Sequence, residues 1–162
     1  MKIQINTEIK QSIDSVWQVM AEDFTKIDQW FKPVLKSYEL PNTPALANAS
    51  CAGRICEFSE KPNGLKASEL IEVYDKSKHL LVIEVSILNA PSIFPIKKNI
   101  ATFQLTTLGT SHTQLTLVAE PDLNFLGKML SPILKLALKK NFTDISRALK
   151  LHCESPLLPL AV

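Results

Sequence analysis

Glu69 is the acid out of place in this 162-residue chain. It stands in the run Lys66-Ala67-Ser68-Glu69-Leu70-Ile71-Glu72-Val73-Tyr74-Asp75. Strand alternation groups it with Ala67, Ile71 and Val73, while Ser68, Leu70, Glu72 and Tyr74 take the other face. A carboxylate on an apolar face is costly to ionise, so it should hold its proton or find a partner such as an amide, water or a ligand's cation. Such a group can serve as a general acid or base, or it can recognise a ligand. A one-residue slip in register would instead leave it at a solvated rim. Asn99 shares a strand face with Ala101, Phe103 and Leu105, and Asn141 falls in an apolar helical stripe. Buried amides need hydrogen-bond partners, so Asn141 suits a ligand anchor or, equally, a structural amide bonded to the sheet or to buried water.

Other chemistry is poorly supported. His79 and His112 fall in expected turns and His152 near a helix end, with no two at metal-ligand spacing. There is no HExxH, no GxSxG and no glycine-rich phosphate loop, so hydrolase and nucleotide chemistry lack a signature, and neither a metal nor a cofactor is expected. Cys51, Cys56 and Cys153 are odd in number and lack CxxC spacing, which fits reduced thiols in a cytoplasmic protein.

These side chains must be positioned by an α+β layout. Ile3, Ile5, Thr7 and Ile9 alternate with polar residues as a strand from the outset, with no apolar run of the kind a secretory signal needs. Ser12 then opens a helix over about 13–22, and Phe24, Ile27, Trp30 and Phe31 mark a second over about 24–31 that Pro33 stops. Strands are expected at 34–40, 53–59, 66–75, 80–88, 97–108 and 112–120, joined by short turn-forming segments and therefore antiparallel. From about 125 to 153 the period becomes helical, with Leu126, Leu130, Leu134, Ala137, Leu138, Ile145, Ala148 and Leu149 on one stripe. The long helix is the element large enough to cover the sheet's apolar face, and a curved sheet around it can leave a cavity.

Composition agrees with one globular domain, expected over 1–154 with an irregular tail at 155–162. Apolar residues make up 46% and charged residues 21%, and the net charge is +2 without a basic run, so no nucleic-acid partner is expected. Lys128, Lys135 and Lys139 lie opposite the helical stripe, where they suit a solvated face or transient contact with an anionic membrane.

Several strings, taken in order over residues 2–152, resemble the START-like (SRPBCC) superfamily, and within it the polyketide cyclase/dehydrase and lipid-transport family. They are Ser12-Ile13-Asp14-Ser15-Val16-Trp17, the Phe24 to Pro33 segment with Ile27 and Trp30, Glu69 to Asp75, and Ala90-Pro91 to Ile96 followed by Ile100-Ala101-Thr102-Phe103. The resemblance implies a helix-grip fold: a seven-stranded curved antiparallel sheet around a long C-terminal helix, with two short helices after strand one. It also implies that Glu69 lines a ligand cavity and that a polar side chain at Asn141 faces it. The sequence departs from the family at Cys56, where many relatives carry an Arg, and at Asn99, where they carry a Tyr.

The expected function is binding or transport of a hydrophobic small molecule, a lipid or polyketide-like compound. Glu69, Asn99 and Asn141 would orient it, and Ile71, Ile83, Val85, Ala101, Phe103, Leu117, Leu134 and Ala137 would form the wall. Trp30 is placed at the entrance, where it stacks on a ligand or serves the core. Ile93 and Phe94, apolar in a turn, are expected to close over the pocket or meet another subunit. The alternatives are a cyclase or dehydratase with Glu69 as acid/base, and an interaction module with a filled core and no ligand.

Overall fold

A computed structural model describes residues 1–155. Most of the expected tail, 156–162, lies outside the described residues. The strands are β1 (Ile3–Ile9), β2 (Lys36–Glu39), β3 (Gly53–Glu57), β4 (Lys66–Asp75), β5 (Leu80–Leu88), β6 (Ile96–Gly109) and β7 (His112–Leu123). They form one antiparallel sheet in the order β1-β7-β6-β5-β4-β3-β2, so the first strand closes against the last. Between β1 and β2, the Ser12 side chain accepts from the Ser15 backbone N–H and caps α1 (Ile13–Trp17). The chain continues through a π-helical turn over Gln18–Glu22 and a 3-10 turn over Phe24–Gln29.

The helix expected over 125–153 is broken into α2 (Phe125–Met129) and α3 (Ser131–Glu154). Pro132 is the reason: it has no N–H to continue a helical ladder, but it fits the first turn of a new helix. The strand expected at 34–40 forms only over Lys36–Glu39. Val73 leaves the inner face because the β4–β5 register shifts between Ile71 and Val73. The bulge at Glu72 resets the alternation, so Tyr74 turns inward against Trp17.

Two clamps set the ends of the helical layer. At the far end of α3, Glu154 Oε1 accepts from the Lys10 backbone N–H at 2.7 Å, and Lys150 Nζ donates to the Glu8 carbonyl at 2.6 Å. There Leu149 packs with Trp17, Ile9, Leu81 and Leu115 in the core that forms one end of the cavity. At the other end Asn124 caps α2 by accepting from the Gly127 N–H, and its amide donates to the Phe94 carbonyl at 2.8 Å. A Cβ on Gly127 would lie 2.3 Å from the Pro95 carbonyl oxygen, so glycine is what lets α2 rest on the β5–β6 loop. Between these ends the facing side chains do not fill the space.

Candidate ligand cavity

The register of the sheet builds the site. Arg54, Glu69, Val85, Asn99 and Pro121 are successive partners across β3 to β7, which makes them one row on the concave face. With strands about 4.8 Å apart, Glu69 and Asn99 stand roughly 10 Å apart with Val85 between them. Gly53 makes the start of this row possible, since a Cβ there would lie 2.0 Å from the Glu69 carbonyl oxygen.

The row borders a cavity of about 350 Å3. Its sheet wall includes Ala67, Ile83, Ala101 and Phe103, and its helical wall Phe24, Trp30, Phe142 and Ile145. Glu69 is not alone there. Arg54, itself only 6% exposed, donates from Nε at 2.8 Å and from Nη2 at 2.7 Å to the same oxygen, Oε2 of Glu69. Its Nη1 donates to the Phe24 carbonyl, and its guanidinium carbon lies 3.9 Å from the centre of the Phe24 ring. The partner that an inward carboxylate requires is therefore an arginine of the next strand. Both contacts fall on Oε2, and no protein donor reaches Oε1 among the described residues. Two more polar atoms of the lining, Asn99 Oδ1 and Ser146 Oγ, are buried without a protein hydrogen-bond partner.

Chemically, this is an apolar chamber with the Arg54–Glu69 pair on one wall and the exposed Lys97 and Lys98 at its edge, Lys98 held by Glu84. An added net charge would be costly in it, and a neutral ligand with a hydroxyl group could donate to Glu69 Oε1. Glu69 is the one carboxylate among the lining residues, and no histidine is among them. Cys56 also lines the cavity, on the same strand face as Arg54. Burial pushes its thiol from 9.0 up to about 12, and the Glu69 charge adds to the effect. The folded chain thus holds this proton more tightly than the unfolded one. The stability it contributes is complete below pH 9.0 and is lost as pH rises towards about 12. Across that interval this thiol should lower the unfolding free energy by about 1.4 kcal/mol per pH unit. Urea unfolding at stepped alkaline pH should show the slope, and Cys56→Ala should reduce it by that amount, leaving the part due to Cys153 and Tyr74, which burial also holds protonated; an unchanged slope in the variant assigns the effect elsewhere.

No family model matches the chain, and neither does any curated protein. Solved structures do. A START superfamily protein from Mycobacterium smegmatis superposes with a TM-score of 0.74 at 12% identity, covering 94% of this chain and 97% of its own. The START-like fold is therefore that of this chain. Zhui aromatase/cyclase from a Streptomyces species superposes at TM-score 0.73 and 13% identity, covering 95% of this chain and 93% of its own. Truncated norcoclaurine synthase from Thalictrum flavum does so at 0.69 and 13%, covering 96% and 94%. The helix-grip architecture expected from the sequence is the observed one.

Within this START-like frame the cavity brings together Glu69, Asn99, Trp30, Ile83, Val85, Ala101, Phe103 and Phe94, with Asn141 at its border. Trp30 also stacks on His152 with ring centres 6.4 Å apart. Four expected wall residues are elsewhere. Ile71 belongs to the core with Trp17, because β4 has passed the cavity floor by that point. Leu117 packs with Ile3, Ala119 and Phe142. Leu134 and Ala137 are outside the lining because the inward face of α3 is centred on Leu138, Phe142, Ile145 and Leu149. The same phase leaves Asn141 exposed, not buried mid-stripe, and turns its neighbour Phe142 inward. Arg54 is the residue that sequence reading missed. An arginine beside Gly53 in a strand of buried residues was the available signal, and its position two residues before Cys56 preserves the strand face.

Proposed function

We propose that residues 1–154 act as one domain that binds a neutral, mostly apolar small molecule, a lipid or polyketide-like compound, in the cavity between sheet and α3. The observation that carries this reading is an apolar chamber of about 350 Å3 whose one buried ion pair is Arg54 with Glu69, the lysines Lys97 and Lys98 of its lining being exposed. Burial at about 25 cal/mol per Å2 supplies the affinity. Glu69 Oε1 accepts from a ligand hydroxyl, and Asn99 and Ser146 offer further polar contacts that fix orientation. A filled core would have favoured an interaction module, and the chamber weighs against that. The three cysteines are unpaired, which supports a cytoplasmic location. No helix among the described residues is long and apolar enough to cross a membrane.

A second reading, a cyclase or dehydratase, is supported by one feature: an Oε1 that no protein donor occupies can take or give a proton to a bound molecule. Glu69→Gln separates the two. Protein purified from its host is extracted, bound compounds are identified by mass spectrometry, and each is tested on parent and variant. For a binder, the variant should keep the fold and lose about tenfold in affinity for a hydroxyl-bearing ligand, the loss of about 1.4 kcal/mol from one hydrogen bond to a charged group. For an enzyme, binding should persist and product formation should stop. If the variant binds as the parent does and no reaction is lost, Glu69 has no part in recognition.

A further inference from the structure

We propose that α2, the first half of α3 and the tip of the β5–β6 loop form a docking face for an anionic lipid bilayer. Ile93, Phe125, Met129, Ile133 and Leu136 are each 66–81% exposed. Phe125 and Met129 stand four residues apart on α2, and Ile133 and Leu136 three apart on α3, so each helix turns a pair of apolar side chains outward from one face. Single exposed apolar residues are ordinary on a soluble surface, but a cluster on adjoining segments marks a contact site. These segments adjoin: Asn124 at the head of α2 bonds through its side chain to the Phe94 carbonyl, and through its backbone N–H to the Pro95 carbonyl.

Charge selects the occupant. Residues 123–143 contain Lys128, Lys135, Lys139 and Lys140 and no Asp or Glu. Lys140 is held by Asp144 at 2.6 Å, whereas Lys128, Lys135 and Lys139 are exposed and make no ion pair among the described residues. A second copy of this chain docking by two-fold symmetry would bring the same lysines against them, like charge on like. An anionic bilayer brings the opposite charge, and lysine stems can lie along the apolar boundary with their ammonium groups among the headgroups. The face is continuous with the cavity mouth, since Phe94 of the β5–β6 loop, Ile96 at the start of β6, and Leu138 and Asn141 of α3 line the cavity. Docking would hold that mouth at the lipid surface. The inference does not depend on what the cavity holds.

The test is co-sedimentation of the purified protein with phosphatidylcholine vesicles, with and without phosphatidylglycerol. The parent should bind the anionic vesicles roughly tenfold more tightly than the neutral ones, and added salt should erode the difference. Phe125→Ser combined with Ile133→Ser should weaken binding to anionic vesicles by about tenfold or more. Lys128→Ala, Lys135→Ala and Lys139→Ala together should remove the preference for anionic lipid. All five positions are solvent-facing, and thermal melts matching the parent will confirm that each variant is folded. The proposal is overturned if the parent sediments with neither vesicle, or if the Phe125/Ile133 variant binds as the parent does. It is also overturned if the parent is a dimer that this variant dissociates while vesicles capture neither, because the face then belongs to a second copy.

Discussion

Arg54→Met is expected to destabilise the protein by about 3–5 kcal/mol, the usual cost of removing one partner from a buried ion pair. The substitution leaves the Glu69 carboxylate on an apolar wall without its cation. It also removes the hydrogen bond to the Phe24 carbonyl and the stacking on the Phe24 ring, the contacts that tie the 3-10 turn to β3. For a chain of this size each kcal/mol moves the melting temperature by roughly 2–4 °C, so a fall of about 10 °C is expected in a thermal scan. Urea unfolding gives the free energy directly. The double variant Arg54→Met with Glu69→Leu should recover most of the loss, because an apolar pair of similar volume has no charge to desolvate. Recovery of the fold without recovery of ligand selectivity would assign the pair to recognition. A single variant within about 1 kcal/mol of the parent would mean that water already reaches the pair, and that the chamber is wetter than its lining suggests.

Val85→Phe should close the cavity without unfolding the protein. Val85 occupies the row between Glu69 and Asn99 and faces the space that a ligand would fill. A phenyl ring there projects into a void, not into packed neighbours, so the overpacking penalty of about 1–3 kcal/mol seen in filled cores should shrink to its lower end. Binding of a fluorescent apolar probe such as phenylnaphthylamine should fall about a hundredfold, equivalent to about 2.7 kcal/mol. Thr102→Phe, two strands of register away from β4 and on the opposite face of β6, is the control and should bind the probe as the parent does. If Val85→Phe binds the probe unchanged, the probe resides elsewhere, and the exposed apolar face of α2 and α3 is the first place to look.

Much of the layout was legible because it is written in short-range periods. Alternation places Glu69 inward on β4 and Asn99 beside Ala101 and Phe103 on β6, and short turns force the strands from β4 to β7 to be antiparallel neighbours. Those features depend on residues within a few positions of each other. The bulge at Glu72 was not legible, because it arises where β5 demands a different pairing from the one β4 began with. Nor was the phase of α3. Asn141 and Phe142 are adjacent on a helix that advances 100° per residue, and the stripe that faces inward depends on how the helix crosses the sheet.

The amino-acid order alone determined an α+β layout, an inward carboxylate and apolar strand faces, since burial of periodic apolar faces admits few arrangements of these elements; the helix-grip form was what the family resemblance implied. Tertiary structure decided the site's electrostatics. Arg54 precedes Glu69 by fifteen residues, and only the β3–β4 register sets guanidinium against carboxylate. It also decided what stays outside. Leu126 and Leu130 share the helical stripe with core residues, yet both are left exposed, and Phe125, Ile133 and Leu136 beside them face solvent. Periodicity identifies a side of an element that prefers to leave water; whether another layer is there to cover it depends on the lengths and crossing of elements far apart in the chain.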